Sequence, residues 1–356
     1  MSDEGAPDDP ARAARSRPRM NAFHRGVRPS ARAGALLRKL VEMAVTLLLA
    51  TLVLFVLTHM APGDPVRLML GEPEIGTANS EAYRLRYVEM RRELRLDDNL
   101  FLQYGVWLGR LFRFDLGRSI HTRRPVRTEL LERLPATLQL ALPALSLQLV
   151  LGTVLGVASA VNRGRMTDHA VRVGCVVLAS VPVFALGLAL LYFFGVRHAL
   201  YTIANEAGWG RLWLPATTLG LIAAPPLARM IRTNLLQEFG RPYILAALSR
   251  GLRRRQIVRG AFRNVLLPVV TMTALSAASL VGGAVVVESV FSWPGIGKYA
   301  LDSILLHDYP VIQGYGFVTI VMILLINLGV DIVYICLDPR LRGRSGYGNA
   351  EGEAHA

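Results

Sequence analysis

Lysine is almost missing from this sequence: of its 40 basic residues, only Lys39 and Lys298 are not arginine. Cysteine is scarcer in what it permits. Cys175 and Cys336 are too few for a disulfide scaffold or a multi-cysteine metal site. Both fall in apolar runs, where a thiol behaves as a small hydrophobe, so no bond between them is expected. The seven histidines, at 24, 59, 121, 169, 198, 307 and 355, never form the His-Glu-x-x-His spacing of a zinc protease. They read as structural or solvated side chains, His59 included. Gly-x-Ser-x-Gly is also absent. Asp331 is the one aspartate inside an apolar run, which leaves a paired-carboxylate mechanism without its second partner. An intramembrane enzyme is therefore disfavoured. No phosphate-cradling Walker A motif occurs either. Its nearest imitation, Gly295-Ile296-Gly297-Lys298-Tyr299, lacks the upstream Gly and the following Ser or Thr. It reads as a loop turn, and the residues call for no metal and no cofactor.

What the chain does hold is arginine and apolar surface together. It has 40 basic against 26 acidic residues, a net charge of +14, 52% hydrophobic residues and a mean hydropathy of +0.37. A nucleic-acid binder would be basic without that apolar content, and a disordered chain would pair charge with low hydrophobicity. Length alone suggests about two soluble domains, but the apolar residues gather into six runs instead. These are Leu40 to Met60, Leu134 to Val161, Val173 to Val196, Leu212 to Ala228, Val265 to Val287 and Val311 to Leu337. A membrane helix needs roughly 20 such residues. The expectation is an all-α integral membrane protein of six transmembrane helices, with a large external loop after the first. The fourth run is the least regular, because it is short and Pro225 and Pro226 would kink it. The first run is long and lacks a small-x-small cleavage site, so it reads as a retained span and not as a signal peptide. Residues 1–35 read as a disordered basic tail, 36–342 as the membrane domain and 343–356 as a second tail. Gly152, Gly156, Gly187, Gly282 and Gly283 are expected to let helices pack closely.

Arginine orients the spans. The segments before the first run, between runs two and three, between four and five, and after the sixth carry a net charge of +15, whereas the opposite segments carry +1. The positive-inside rule then places both termini in the cytoplasm of an inner (plasma) membrane protein. On the external side, Pro62-Gly63-Asp64-Pro65 reads as a tight turn, and Glu81 to Leu96 as a charged helix. Phe101, Tyr104, Trp107, Leu108, Leu111 and Phe112 fall on one helical face, expected at the membrane interface or against neighbouring spans.

The segment from Arg229 to Asn264 has nine basic residues and one acid, Glu238. Ala246, Ala247, Ser249 and Gly251 put small residues close together on a short helix that another protein can approach closely. Arg250, Arg253, Arg254, Arg255, Arg259 and Arg263 surround it. One reading is a loop resting on anionic lipid, the other a docking helix for a cytoplasmic motor subunit.

The run Tyr243-Ile244-Leu245-Ala246-Ala247-Leu248-Ser249-Arg250-Gly251-Leu252, followed by Ala261 to Pro268, resembles the "EAA" coupling loop of bacterial ABC-importer permeases. The resemblance is to the dipeptide/oligopeptide/nickel branch, and it recurs in order along the chain. It includes Ala61 to Val66, Asp115 to Ser119, Leu134 to Leu138, Ser180 to Phe184, Glu288 to Gly297, Asp308 to Gly314 and Leu337 to Arg340. Departures are Leu245 at the acidic position that names the loop, Pro242 where Asp is frequent, and Phe114 where Gly is common. The resemblance implies a permease that pairs with a second permease subunit, two cytoplasmic ATP-binding subunits and an extracytoplasmic solute-binding protein. It also implies that Tyr243, Ala246, Ala247, Gly251 and Leu252 contact the ATPase, which alone hydrolyses ATP, and that the cargo is a peptide or related small solute. An ion-coupled secondary transporter is the alternative. Such proteins keep ionisable residues mid-membrane, whereas Glu42, Glu288 and Asp331 lie towards run ends and read as snorkelling or inter-helix hydrogen-bonding groups.

Overall fold

The computed structural model describes residues 29–60, 65–70, 81–93 and 97–337. The turn expected at Pro62 to Pro65 and the C-terminal match at Asp338 to Arg340 lie largely or wholly outside them. The chain divides into two compact units. Of the first, Met1–Val41 with Asp338–Ala356, the described part is the start of one helix. All that follows concerns the second, Glu42–Leu337.

The elements are α1 (Pro29–Met60), α2 (Pro65–Leu70), α3 (Glu81–Glu93), α4 (Leu100–Phe112), α5 (Val126–Val161), α6 (Met166–Ser180), α7 (Val183–Leu191), α8 (Trp209–Phe239), α9 (Pro242–Ser249), α10 (Arg254–Val290), α11 (Ile296–Leu305) and α12 (Tyr309–Leu337). Among the described residues there is no strand, only one isolated bridge between Arg118 and Pro125. Among the described residues, five helices are long and apolar enough to cross a membrane: α1, α5, α8, α10 and α12. The run from Val173 to Val196, expected as one span, is broken near its middle. Pro182 has no N–H to continue the helix, and Val181 before it is held extended (φ −86°, ψ 125°). The two halves, Met166–Ser180 and Val183–Arg197, meet at 97°. Counted as one span they make up to six.

The span with the most prolines is not the weakest element. α8 continues through Pro215, Pro225 and Pro226, and 61% of its apolar window is buried, against 11–33% for the other four. A central helix tolerates prolines because its neighbours re-satisfy the freed carbonyls. α5 packs along it most extensively. The approach is close enough that a Cβ on Gly156 would lie 2.7 Å from the Ala228 carbonyl, and one on Gly220 2.9 Å from that of Ala144. At Gly282 and Gly283 on α10, by contrast, a Cβ would meet no atom of the described residues within 4 Å.

α5 and α10 are 36 and 37 residues long. At 1.5 Å per residue they reach about 55 Å, far beyond a hydrocarbon core of ~30 Å, so both project beyond it. The projecting ends are pinned by buried carboxyl groups. Glu288 near the end of α10 is fully buried. It accepts hydrogen bonds from Thr137 Oγ1 (2.6 Å) and Lys298 N (2.8 Å), while Ile296 N donates to the same Thr137 hydroxyl (3.0 Å). The Gly295 to Tyr299 segment, expected as a loop turn, is instead the N-cap and first turn of α11, and its backbone cradles a carboxyl of its own chain. A Cβ on Gly295 would fall 2.1 Å from Glu288 Oε1. Trp293, also fully buried, donates from Nε1 to the Ala136 carbonyl at 2.8 Å.

Asp308 does the same for the segment ahead of α5. It accepts from Ser119 Oγ (2.5 Å) and from Ile120 N (3.1 Å). Glu129 accepts from the Tyr299 hydroxyl and from Thr122 Oγ1. Burial and that bond to Glu129 push the Tyr299 phenol above its ordinary range, so it remains a donor. Phe114, standing where glycine is common, has φ +55°. Glycine enters that left-handed region freely, which explains the preference.

The aromatic face of α4 is used only in part. Tyr104 and Trp107 pack on Phe55 of α1, at ring distances of 5.4 and 5.7 Å, and Tyr104 Oη donates to the Leu48 carbonyl. Phe101 and Phe112, expected on the same face, are exposed.

Replacing Glu288 by Ala strands the donors it satisfies, each at about 1–3 kcal/mol. Thermal unfolding of the purified protein in detergent should show a large loss for Glu288→Ala and a smaller one for Glu288→Gln, which keeps one acceptor.

Candidate functional site

The segment between α8 and α10 turns twice within about a dozen residues. α8 ends at Phe239, and Arg241 is extended (φ −76°, ψ 146°), which starts α9 at Pro242. Proline at the first helical position costs no hydrogen bond, because that N–H has no partner inside a helix. The departure at Pro242 is therefore a sound helix start. α9 stops at Gly251, whose φ of +74° places it in the left-handed region. Gly251 N then donates to the Leu248 carbonyl (2.9 Å) and Leu252 N to that of Ala247 (3.2 Å), capping the helix. α10 opens with Gln256 reaching back, its Oε1 accepting from Arg253 N at 2.9 Å.

The eight residues of α9 have two faces. Ile244 is buried and Ala247 half-buried, both against a cluster formed by Leu227, Ile231 and Leu235 of α8 with Ile257, Ala261 and Val265 of α10. The other face is exposed and apolar: Leu245 is 65% exposed, Leu248 56% and Leu252 38%. Arg241, Arg250, Arg253, Arg255, Arg259 and Arg263 are exposed along the same segment.

Of the five residues expected to make contact, Ala246, Gly251 and Leu252 are exposed, Ala247 is turned inward, and Tyr243 is a brace. The Tyr243 hydroxyl donates to Glu238 Oε2 at 2.6 Å, and Asn264 Nδ2 donates to the same oxygen at 2.9 Å. This triangle ties α8, α9 and α10 together. Partial burial, then the bond to Glu238, raise the phenol above its ordinary value and keep it protonated. Glu238, the lone acid of the segment, is thereby consumed inside the fold. Leu245 and Leu248, not the small residues, form most of the exposed face. The apolar spacing 245, 248, 252 (i, i+3, i+7) was the available signal.

A small inner edge locks α9 to two membrane helices, and an apolar outer edge lies among guanidinium groups.

Comparison with known proteins defines the class. The family described as "Binding-protein-dependent transport system inner membrane component" matches residues 152–343, and its N-terminal companion matches residues 34–141. The chain belongs to this family and is a multi-pass inner-membrane permease. Among its relatives are the glutathione transport system permease protein GsiC of Salmonella typhimurium (strain LT2) and the dipeptide transport system permease protein DppB of Escherichia coli (strain K12). Each is 34% identical, over 307 and 340 residues respectively, covering 86% of this chain and 98% of the relative. A solved structure of the MetNI methionine ABC transporter in an inward-facing conformation superimposes with a TM-score of 0.51 at 21% identity. It covers 59% of this chain and 96% of that one, and shows a shared fold. The chain is thus the permease subunit of an ABC importer, and no comparison supports the ion-coupled alternative.

Gly251 gives the site its own test. A side chain in the left-handed region costs about 1–2 kcal/mol, most for a β-branched residue. Gly251→Val should expose the 249–255 segment to limited proteolysis, and Gly251→Asn should leave it nearly as resistant as wild type.

Proposed function

We propose that this permease moves peptides or a related small solute, handed over by an extracytoplasmic binding protein and driven by ATP hydrolysed on partner subunits that grip α9. In this reading the membrane domain comprises residues 36–342 with six spans, α6 and α7 forming one bent span. Both termini are cytoplasmic, the large loop after the first span is external, and the segments 1–35 and 343–356 are cytoplasmic tails. One such chain pairs with a second permease subunit and two cytoplasmic ATP-binding subunits, with anionic lipid around the arginines. The cargo class follows from the glutathione and dipeptide systems to which the two relatives belong.

The observation that carries the docking reading is the exposed apolar face of α9. Leu245 and Leu248 project from a helix that Ile244 and Ala247 fix to α8 and α10. An apolar centre with a charged rim has the anatomy of a protein interface. The basic rim suits an acidic-edged cleft, because complementary charge steers and orients a partner. Tyr243, Ala247 and Gly251 then serve by shaping α9, and Ala246 and Leu252 by touching the partner. The alternative occupant of a basic loop, anionic lipid, would value the arginines and be indifferent to the leucines.

That contrast is the experiment. Leu245→Asp with Leu248→Asp should leave the permease in the membrane but lose co-purifying ATPase subunits by at least tenfold, about 1.4 kcal/mol or more. Retention of the ATPases at wild-type level would remove α9 from the interface.

A further inference from the structure

We propose that the α5–α6 turn, residues 162–165, belongs to the coupling unit: it brackets both stems of α9, so that α5 and α6 move with α9 as one body. Asp168 is the positioning residue that closes the bracket. This rests on α9 being the ATPase contact.

Asp168 lies in the first turn of α6 and is 1% exposed. Its carboxylate is satisfied locally, accepting from Ser159 Oγ at 2.5 Å and from Gly164 N at 3.0 Å. These two bonds fold the α5–α6 turn onto itself. A third partner arrives from a different helix. Arg232 of α8 donates from Nε at 2.8 Å and from its terminal nitrogen at 3.0 Å, a two-pronged ion pair. Such a pair fixes orientation as well as distance, because two parallel bonds allow no swivel. Arg172, one turn further along α6, adds a weaker contact at 3.6 Å.

The second arm comes from the far side of α9. Arg254, the first residue of α10, donates to the Val161 carbonyl at the end of α5. The last carbonyls of a helix have no partner within it, and a cation there also meets the negative end of the helix dipole. One short turn therefore holds the helix before α9 through Arg232 and the helix after it through Arg254. With the Glu238–Tyr243–Asn264 triangle closing the opposite side, α9 sits in a frame whose members are joined by directional polar bonds. A push on α9 has no soft joint in which to dissipate. It reaches α5, the helix that packs most extensively on α8. Rigid-body rotation of this kind is one of the recurrent forms of switching.

The transported solute need not be known to test this. The full permease, assembled with its partner subunits in lipid nanodiscs, would carry spin labels at Arg163→Cys and Gly240→Cys in a Cys175→Ala, Cys336→Ala background. Both label sites are exposed, one on the turn and one between α8 and α9. The distance between them would be read without nucleotide and after trapping with ATP and vanadate. The bracket predicts one narrow distance that trapping leaves unchanged. In Asp168→Asn, ATP hydrolysis should persist while the distance shifts and broadens on trapping. A wild-type distance that itself changes on trapping overturns the proposal, as does an Asp168→Asn distribution identical to wild type. If Asp168→Asn does not assemble, Arg232→Lys, which keeps the charge and loses the two-pronged geometry, takes its place with the same two outcomes. Failure of the α9 reading looks different: Leu245→Asp with Leu248→Asp then keeps its ATPases, whatever the labels report.

Discussion

A carboxyl group carried into an apolar bundle must be given hydrogen-bond partners, because leaving it bare costs far more than any single packing contact returns. This chain buries Glu129, Asp168, Glu288 and Asp308 almost completely, and each fastens a connecting segment to a long helix. Glu288 draws the Gly295–Lys298 turn onto the end of α10, Asp308 draws residues 119–120 towards α12, and Glu129 meets Tyr299 of α11. Asp168 does the equivalent work at the end of the bundle nearest α9. The apolar contacts supply most of the burial, but helices sliding in lipid have little to set their register. The carboxyl groups set it, at both ends.

The sequence made part of this legible. The apolar runs locate the membrane helices, since no other feature of a chain concentrates 20 uncharged residues so often. Glu288 was readable as an inter-helix hydrogen-bonding group and Gly295 to Tyr299 as a turn, although nothing in the spacing said that one held the other. That fact depends on Thr137, more than 150 residues away, and no local pattern encodes it. Val173 to Val196 gave no hint of its bend because hydropathy is blind to direction, while Val181-Pro182 turns the chain by 97° within an unbroken apolar run. Pro225 and Pro226 misled in the opposite sense: the penalty for proline is set by whether the freed carbonyls find company, and α8 is the most surrounded helix. On α4, the helical period placed Phe101 and Phe112 with Tyr104 and Trp107, but a 13-residue helix meeting α1 along part of its length engages only part of a stripe.

At the candidate site the balance was similar. The position of α9 and its arginine surroundings could be read directly, whereas Gly251, read as a small residue on the helix, lies just past its end as the stop. Which of its residues face inward could not, because an eight-residue helix spans barely two turns, and the choice of face depends on the α8–α10 cluster. The inward turn of Ala247 and the outward turn of Leu245 follow from that packing. Glu238 in turn accepts from Tyr243 and Asn264, a pairing that joins three elements and that no local pattern encodes. The site presents an exposed apolar face among arginines on a helix that is packed and hydrogen-bonded to α8 and α10.

An ABC-importer permease takes its energy from partner ATPases and not from an ion-coupled group inside the spans. The direct test is uptake of labelled glutathione and labelled dialanine by proteoliposomes holding the complete complex and its binding protein, with no ion gradient imposed. At least one of them should accumulate when ATP is enclosed with the ATPase subunits, unchanged by an uncoupler. Accumulation that ignores ATP and collapses with the uncoupler would contradict it.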